Sequence, residues 1–256
     1  MFLEDIVIVC ISGFRFTGDP DSPIINLRDD LRKRLSPLGI PDDNIFHRPW
    51  NQGGESQPDQ SPNHNDILRE IQNRTKNPRY IALVGHSYGG WAACKVSRAI
   101  DVNHIVLLDP VFGPDNKVES DDVPIAPIIE NWCQDNAIMI LNYCTPWIRV
   151  PCVSTSTHRG LACGNQDVPN VTEYHDVEYV MDRDGTPQEH PCKVKIPGTD
   201  IEIKICIKKL ATHITMDYNP YIAQRICDTL YNEISNLIET AKREEFLTML
   251  TLLKNS

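Results

Sequence analysis

The sequence predicts a single α/β domain with a mostly parallel central sheet, helices on both faces and an inserted β-excursion. Three observations carry that prediction. Short apolar runs rich in β-branched residues recur along the first half of the chain, segments with helical spacing alternate with them, and a turn-rich stretch interrupts the order before a long closing helix. A chain of 256 residues is long enough for one such domain to bury a sizeable core.

Asp5 to Ile11 is a continuous apolar run, the pattern of a strand buried on both faces, and it ends at Ser12-Gly13-Phe14. From about Pro23 to Leu38, Ile25, Leu27, Leu31 and Leu35 recur at helical spacing among charged residues. Asn44 to Trp50 reads as a short strand and Asn51 to Pro62 as a Gly-, Gln-, Ser- and Pro-rich loop. A helix with Ile67, Leu68 and Ile71 then precedes the apolar strand Tyr80 to Val84, and an Ala-rich helix runs to about Ala99. His104 to Leu108 and Ala137 to Leu141 are the next predicted strands. Alternation of this kind gives right-handed βαβ units.

From Thr145 to Leu210 the sequence turns rich in Pro, Gly, Thr and Asp, with Asp184-Gly185 as a turn signal. Val177 to Met181, Lys193 to Ile196 and Ile201 to Ile207 are the predicted strands of this insert, expected to form a cap or one wall of a pocket. Asp182-Arg-Asp-Gly185 resembles part of a calcium loop but lacks its other oxygen ligands, so a hairpin turn is the better reading. The tail from Asn219 to about Leu253 is an amphipathic helix with Pro220 in its first turn and Ile222, Ile226, Leu230, Ile234 and Leu237 on one side. Its end, Phe246 to Leu253, is expected to pack on the body.

With 41% hydrophobic and 23% charged residues and a formal net charge of -10, the chain has the composition of a globular protein with an acidic surface. That balance argues against a nucleic-acid partner, whose phosphates require clustered cations. No stretch reads as an integral membrane segment, and the first residues lack a basic n-region, so a cytoplasmic protein is expected. None of the nine cysteines forms a C-x-x-C pair, which argues against a cysteine-bound metal. Reduced thiols are favoured, with Cys152–Cys163 and Cys192–Cys206 the candidate pairs should the protein be exported.

The chemistry concentrates at Gly85-His86-Ser87-Tyr88-Gly89, a G-x-S-x-G motif directly after a buried strand and before a helix. In that context a serine sits on a sharp turn, flanking glycines let neighbouring elements approach, and the helix N-terminus favours developing negative charge. A Gly-rich turn that merely contains a serine is the competing reading. The apolar strand before the motif and Ala92, Ala93 and Cys94 after it argue against that reading.

Gly85-His-Ser-Tyr-Gly-Gly90 resembles the nucleophile elbow of α/β-hydrolases, particularly lipases and esterases, and Leu107-Leu-Asp-Pro-Val111 is similar to the L-D-P stretch of pancreatic-type lipases. Thr212-His-Ile-Thr-Met-Asp-Tyr-Asn-Pro220 resembles their histidine loop. The resemblance implies Ser87 as nucleophile, Asp109 as acid and His213 as base, in the chain order of that fold. It also implies an oxyanion hole from the backbone N–H groups of Tyr88 and Phe14, with Arg15 as a substitute for Phe14. The implied reaction is acyl transfer from a small-molecule or lipid ester to Ser87, then attack of water, with neither metal nor organic cofactor.

Each assignment has a competitor. Asp109 could simply cap a turn before Pro110, with Asp176, Asp182 and Asp184 as later acids, and Asp217 is expected to cap the closing helix. Of eight histidines, His47, His64, His86, His104, His158, His175 and His190 fall in strands, polar loops, the insert or the variable position of the elbow. Trp132, Tyr143, Trp147 and Ile148 are candidates for an apolar acyl pocket. A thioesterase, amidase or acyltransferase would use the same residues, and a non-catalytic binding protein would use the same fold. Oligomeric state is not legible.

Overall fold

The computed structural model describes residues 3–14, 23–51, 61–113, 115–135, 164–195 and 202–254. Its elements run β1 (Ile6–Ser12), α1 (Ile24–Leu35), β2 (Ile45–Pro49), α2 (His64–Arg74), β3 (Tyr80–His86), α3 (Tyr88–Ser97), β4 (His104–Leu108), β5 (Ile128–Cys133), β6 (Glu173–Asp176), β7 (Glu189–Lys195), β8 (Glu202–Lys208) and α4 (Pro220–Lys254). The first six strands form one sheet in the order β2-β1-β3-β4-β5-β6, and every neighbouring pair is parallel.

Alternation along each strand divides the interior in two. Ile6, Ile8 and Cys10 of β1, Tyr80, Ala82 and Val84 of β3, and Val106 and Leu108 of β4 face α1 and α4. Val7, Val9 and Ile11, Ile81 and Leu83, and Ile105 and Leu107 face α2 and α3. All these side chains are buried, which explains why the three strands read as unbroken apolar runs instead of alternating ones. The chain leaves β1 outward to β2 and returns across it to β3, so the strand order reverses between β1 and β3. The carboxyl ends of those two strands border the crevice where open α/β sheets bind ligands. A parallel sheet wound on both faces, with a strand–serine–helix turn at that crevice, is an α/β-hydrolase fold.

Two strands differ from the sequence reading. The neighbour of β4 is Ile128–Cys133, whereas the expected strand at 137–141 lies outside the described residues. β5 escapes an apolar-run reading because Glu130 and Asn131 sit in its buried middle. Both have partners there: Glu130 accepts from Trp132 Nε1 at 2.8 Å and meets His104 Nε2 at 3.0 Å, and Asn131 donates to the Asn165 carbonyl. β6 falls inside the expected insert yet closes the main sheet, so residues 173–176 belong to the core architecture. The excursion proper is the antiparallel pair β7–β8. Residues 177–181 make only bridges, Tyr179 to Leu210 and Met181 to Pro187.

The turn at Asp182–Thr186 is a hairpin turn as expected, with Gly185 at φ 85°. Cys192 is disulfide-bonded while Cys206 is a free, exposed thiol, which corrects both the pairing of these two residues and the expectation that Cys192 is reduced. Cys10 and Cys94 are free and buried, as read. α4 packs on the sheet through Ile222, Ile226, Leu230, Ile234 and Ile238. Beyond Ile238 its side chains are mostly exposed, and Phe246 (55% exposed) to Leu253 (66%) are not buried against the body as expected. No helix among the described residues is long and apolar enough to cross a membrane.

Candidate active site

Ser87 occupies the turn between β3 and α3 at φ 57° and ψ -126°, a conformation rare for a residue with a Cβ. Surrounding hydrogen bonds hold it there. Its N–H donates to the Leu108 carbonyl at 3.0 Å, and its carbonyl accepts from the N–H groups of Gly90 and Val111, each at 3.0 Å. A Cβ on Gly13 would lie 2.5 Å from Ser87 Cβ, so the loop after β1 reaches the serine only as glycine. A Cβ on Gly89 would fall on the Ile11 carbonyl, which is how closely α3 crosses β1.

Asp109 follows β4 at φ 48° and is fully buried, its N–H donating to the Trp132 carbonyl at 2.7 Å. His213 opens a short 3-10 turn, His213–Tyr218. The residue before it, Thr212, forms a reciprocal box with Thr215: the Thr212 N–H donates to Thr215 Oγ1 at 2.7 Å and the Thr215 N–H returns to Thr212. Three separate chain segments thereby converge. Ser87 Oγ lies 2.8 Å from His213 Nε2, and His213 Nδ1 lies 2.7 Å from Asp109 Oδ2.

The arrangement can move a proton. With the ring proton on Nδ1 donated to Asp109, Nε2 is left as an acceptor for the serine hydroxyl. Ser87 is 4% exposed and the His213 side chain 11%, so the transfer would occur largely out of water, where charge–charge interactions are strong. Gln134, just past β5, donates from Nε2 to Asp109 Oδ2 at 2.9 Å, and its N–H lies 3.3 Å from Asp109 Oδ1. Gly164 packs so closely that a Cβ there would overlap Asp109 Cα and lie 2.5 Å from Oδ1. Sequence reasoning passed over both residues. Their only signal is proximity to Asp109, which no local pattern encodes.

Tyr88 follows the serine in the chain, and Phe14 follows Gly13 in the loop after β1. Tyr88 is buried, its ring stacked on Trp50 at 4.7 Å between centroids, and Phe14 is half-buried against the same cluster. Arg15, Tyr143, Trp147 and Ile148 lie outside the described residues. Trp132 turns away from the serine toward the α1–α4 side, where it stacks on His175 at 3.8 Å. Among the described residues no cluster of His, Cys, Asp or Glu is arranged to hold a metal ion.

Two residues that the sequence assigned elsewhere belong to this neighbourhood. His86 is buried with Nε2 2.8 Å from the His213 carbonyl, and Asp217 is buried beside it, 3.4 Å from His86 Nδ1. Asn219, directly before Pro220, caps α4, its Oδ1 accepting from the Tyr221 N–H at 3.2 Å.

No family model matches the sequence, and no curated protein matches it significantly. Solved structures do match. A protein described as a YdeN-like hydrolase from Pectobacterium atrosepticum aligns with a TM-score of 0.33 and 18% identity over 51% of this chain and 64% of its own. One described as a hydrolase of the α/β superfamily from Xanthomonas campestris pv. campestris gives 0.29 and 18% over 49% of this chain and 70% of its own. Phospholipase PlaB from Legionella pneumophila, solved with thio-NAD, gives 0.39 and 11% over 94% of this chain. The chain spans 64% of the length of the first and third of these proteins.

Proposed function

We propose that the chain is a serine hydrolase that cleaves carboxylic esters through an acyl-enzyme on Ser87. The observation that carries this reading is the continuous Ser87–His213–Asp109 hydrogen-bond chain at 2.8 and 2.7 Å, built on a strained strand-to-helix turn. A binding protein has no physical need for all three groups in register. In the proposed reaction His213 takes the Ser87 proton as Oγ attacks the acyl carbon, and Asp109 holds the ring in the required tautomer and stabilises its cationic form. His213 then passes the proton to the departing alcohol. A water deprotonated by the same nitrogen attacks the ester carbon, and Ser87 recovers its proton as the acid leaves.

The oxyanion formed in each half would be met by the backbone N–H groups of Tyr88 and Phe14. The positive end of α3 points the same way. Substrate selection falls to the segment between β5 and His213, within residues 145–210, as a cap or wall over the crevice. The substrate is a small-molecule or lipid ester.

Labelling of the purified protein with a fluorophosphonate, mapped by peptide mass, tests the nucleophile, and turnover of p-nitrophenyl esters of increasing acyl length tests the reaction. Adduct at Ser87 with ester turnover is the expected result. A folded protein that neither labels nor turns over any ester of the series overturns the reading.

A further inference from the structure

Behind the Asp109–His213 couple lies a second aspartate and histidine, Asp217 and His86, and the two histidine rings sit 5.0 Å apart at 33°. His86 precedes the nucleophile, whereas Asp217 shares the 3-10 turn of His213. One buried ring therefore touches that turn twice, at the His213 carbonyl through Nε2 (2.8 Å) and at Asp217 Oδ2 on the side of Nδ1 (3.4 Å).

The chemistry of the partners dictates where the ring proton lies. A carbonyl can only accept, so Nε2 must carry the hydrogen and Nδ1 is left facing the Asp217 carboxylate. Burial holds His86 below the ordinary imidazole value of 6.5, against the upward pull of Asp217, and the neighbouring His213 lowers it further. Among the described residues, the groups that face this ring are Asp217, His213 and, farther off, Asp109. A neutral His86 adds no positive charge beside His213 when that ring takes the serine proton, and the carboxylates of Asp109 and Asp217 favour the imidazolium that forms.

We propose that His86 is a positioning residue for His213. Its Nε2–H grips the backbone of the base and keeps the imidazole aimed at Ser87 Oγ while Asp109 holds the opposite nitrogen. This inference rests on the hydrolase reading of Ser87. The reason such a grip matters is geometric: the ring belongs to a single 3-10 turn, and a misplacement of about 1 Å at a reacting group can cost on the order of 10²-fold.

The test compares the wild-type chain with His86→Leu, His86→Gln and His86→Asn in fluorophosphonate labelling rate and p-nitrophenyl ester turnover. A glutamine amide nitrogen falls where Nε2 sits and can donate to the His213 carbonyl, whereas that of asparagine falls where Nδ1 sits and cannot reach it. The expected result is a kcat lowered on the order of 10²-fold in His86→Leu and His86→Asn with KM little changed, and recovery toward wild type in His86→Gln.

Equal losses in the Gln and Asn variants would overturn the inference, and this comparison still decides if His86→Leu does not fold. Wild-type kcat in His86→Leu or His86→Asn would overturn it as well. A wild type that neither labels nor turns over ester overturns the hydrolase reading and this inference with it. An active wild type with an indifferent His86 overturns the inference alone.

Discussion

His104 offers the sharpest test of how the sheet holds α4. Its ring is fully buried at the start of β4, with Nε2 3.0 Å from Glu130 Oε1 of β5 and Nδ1 3.0 Å from Glu233 Oε1 of α4. Glu233 also accepts from the Tyr80 hydroxyl at 2.5 Å. Burial alone would push His104 down, but hydrogen bonds to Glu130 and Glu233 outweigh it and hold the ring up at about 9, against 6.5 for a free imidazole. Burial likewise opposes ionisation of Glu130, and hydrogen bonds led by that from His104 still draw it down to about 2 from 4.5. The two residues agree in describing one buried cation between two carboxylates.

Raising His104 from 6.5 to about 9 corresponds to roughly 3 kcal/mol of folding stability. A folded value raised above the unfolded one means that the contribution is complete below pH 6.5 and is lost as pH rises through about 9. Glu130, with a depressed value, contributes above 4.5 and loses its share only toward 2, outside that window. The perturbation is His104→Leu, which leaves two carboxylates near each other without their cation and should cost about 3–5 kcal/mol near pH 6. Urea unfolding at pH 6.5, 8 and 9.5 measures it. With a slope of about 2 kcal/mol/M, the gap between the wild-type and variant midpoints should narrow by about 1.5 M across that range. This comes on top of the fall both proteins share because burial keeps their cysteine thiols protonated while the unfolded chain can ionise them. Groups that titrate in both proteins cancel in the difference. Parallel slopes for the two proteins would refute the buried-cation argument, whatever the absolute stabilities.

The remaining predictions concern the site. Ser87→Ala should abolish fluorophosphonate labelling and ester turnover while leaving the thermal midpoint within a few degrees, since the lost hydroxyl makes no contact on which the sheet depends; residual labelling mapped to another serine would move the nucleophile. Asp109→Asn should lower kcat on the order of 10⁴-fold through loss of tautomer control, and near-wild-type turnover would shift the acid into the insert. Gln134→Leu removes a donor to a fully buried carboxylate, a hydrogen bond worth about 1.5–3 kcal/mol, so kcat should fall about 10- to 100-fold and the variant should lose stability. A kcat unchanged in that variant would make Gln134 a bystander. Gly164→Ala should impair both folding and turnover by driving a methyl group into Asp109, and a wild-type midpoint with wild-type kcat would contradict the close packing.

How much of this was legible depended on whether a residue's environment is set by its chain neighbours or by remote ones. β1, β3 and β4 could be read directly because both of their faces meet helices, so all positions but those at the strand ends are apolar and the run is continuous. Ser87, Asp109 and His213 could be placed because each occupies a topologically defined spot: the turn after one strand, the end of the next, and the loop before the closing helix. β5 and β6 were missed for the converse reason. Glu130 and Asn131 are tolerated in a buried strand only because His104, Trp132 and the Asn165 carbonyl complete them, and none of those pairings leaves a trace in the local pattern.

The same distinction explains His86 and Asp217. Read along the chain, one is the variable residue of an elbow and the other a polar residue ahead of a proline. In space they meet across 131 residues, because the turn that presents His213 to the serine also presents Asp217 to the residue before it. A buried polar residue in this fold therefore signals a partner supplied by another segment. On the proposed reading, the pairing of His86 with the His213 carbonyl would complete the fold and also aim the base. Stability and the proposed proton transfer would then depend on the same hydrogen bond, so a substitution at His86 that lowers kcat without lowering the unfolding midpoint would separate the two and place the contact's main value in geometry.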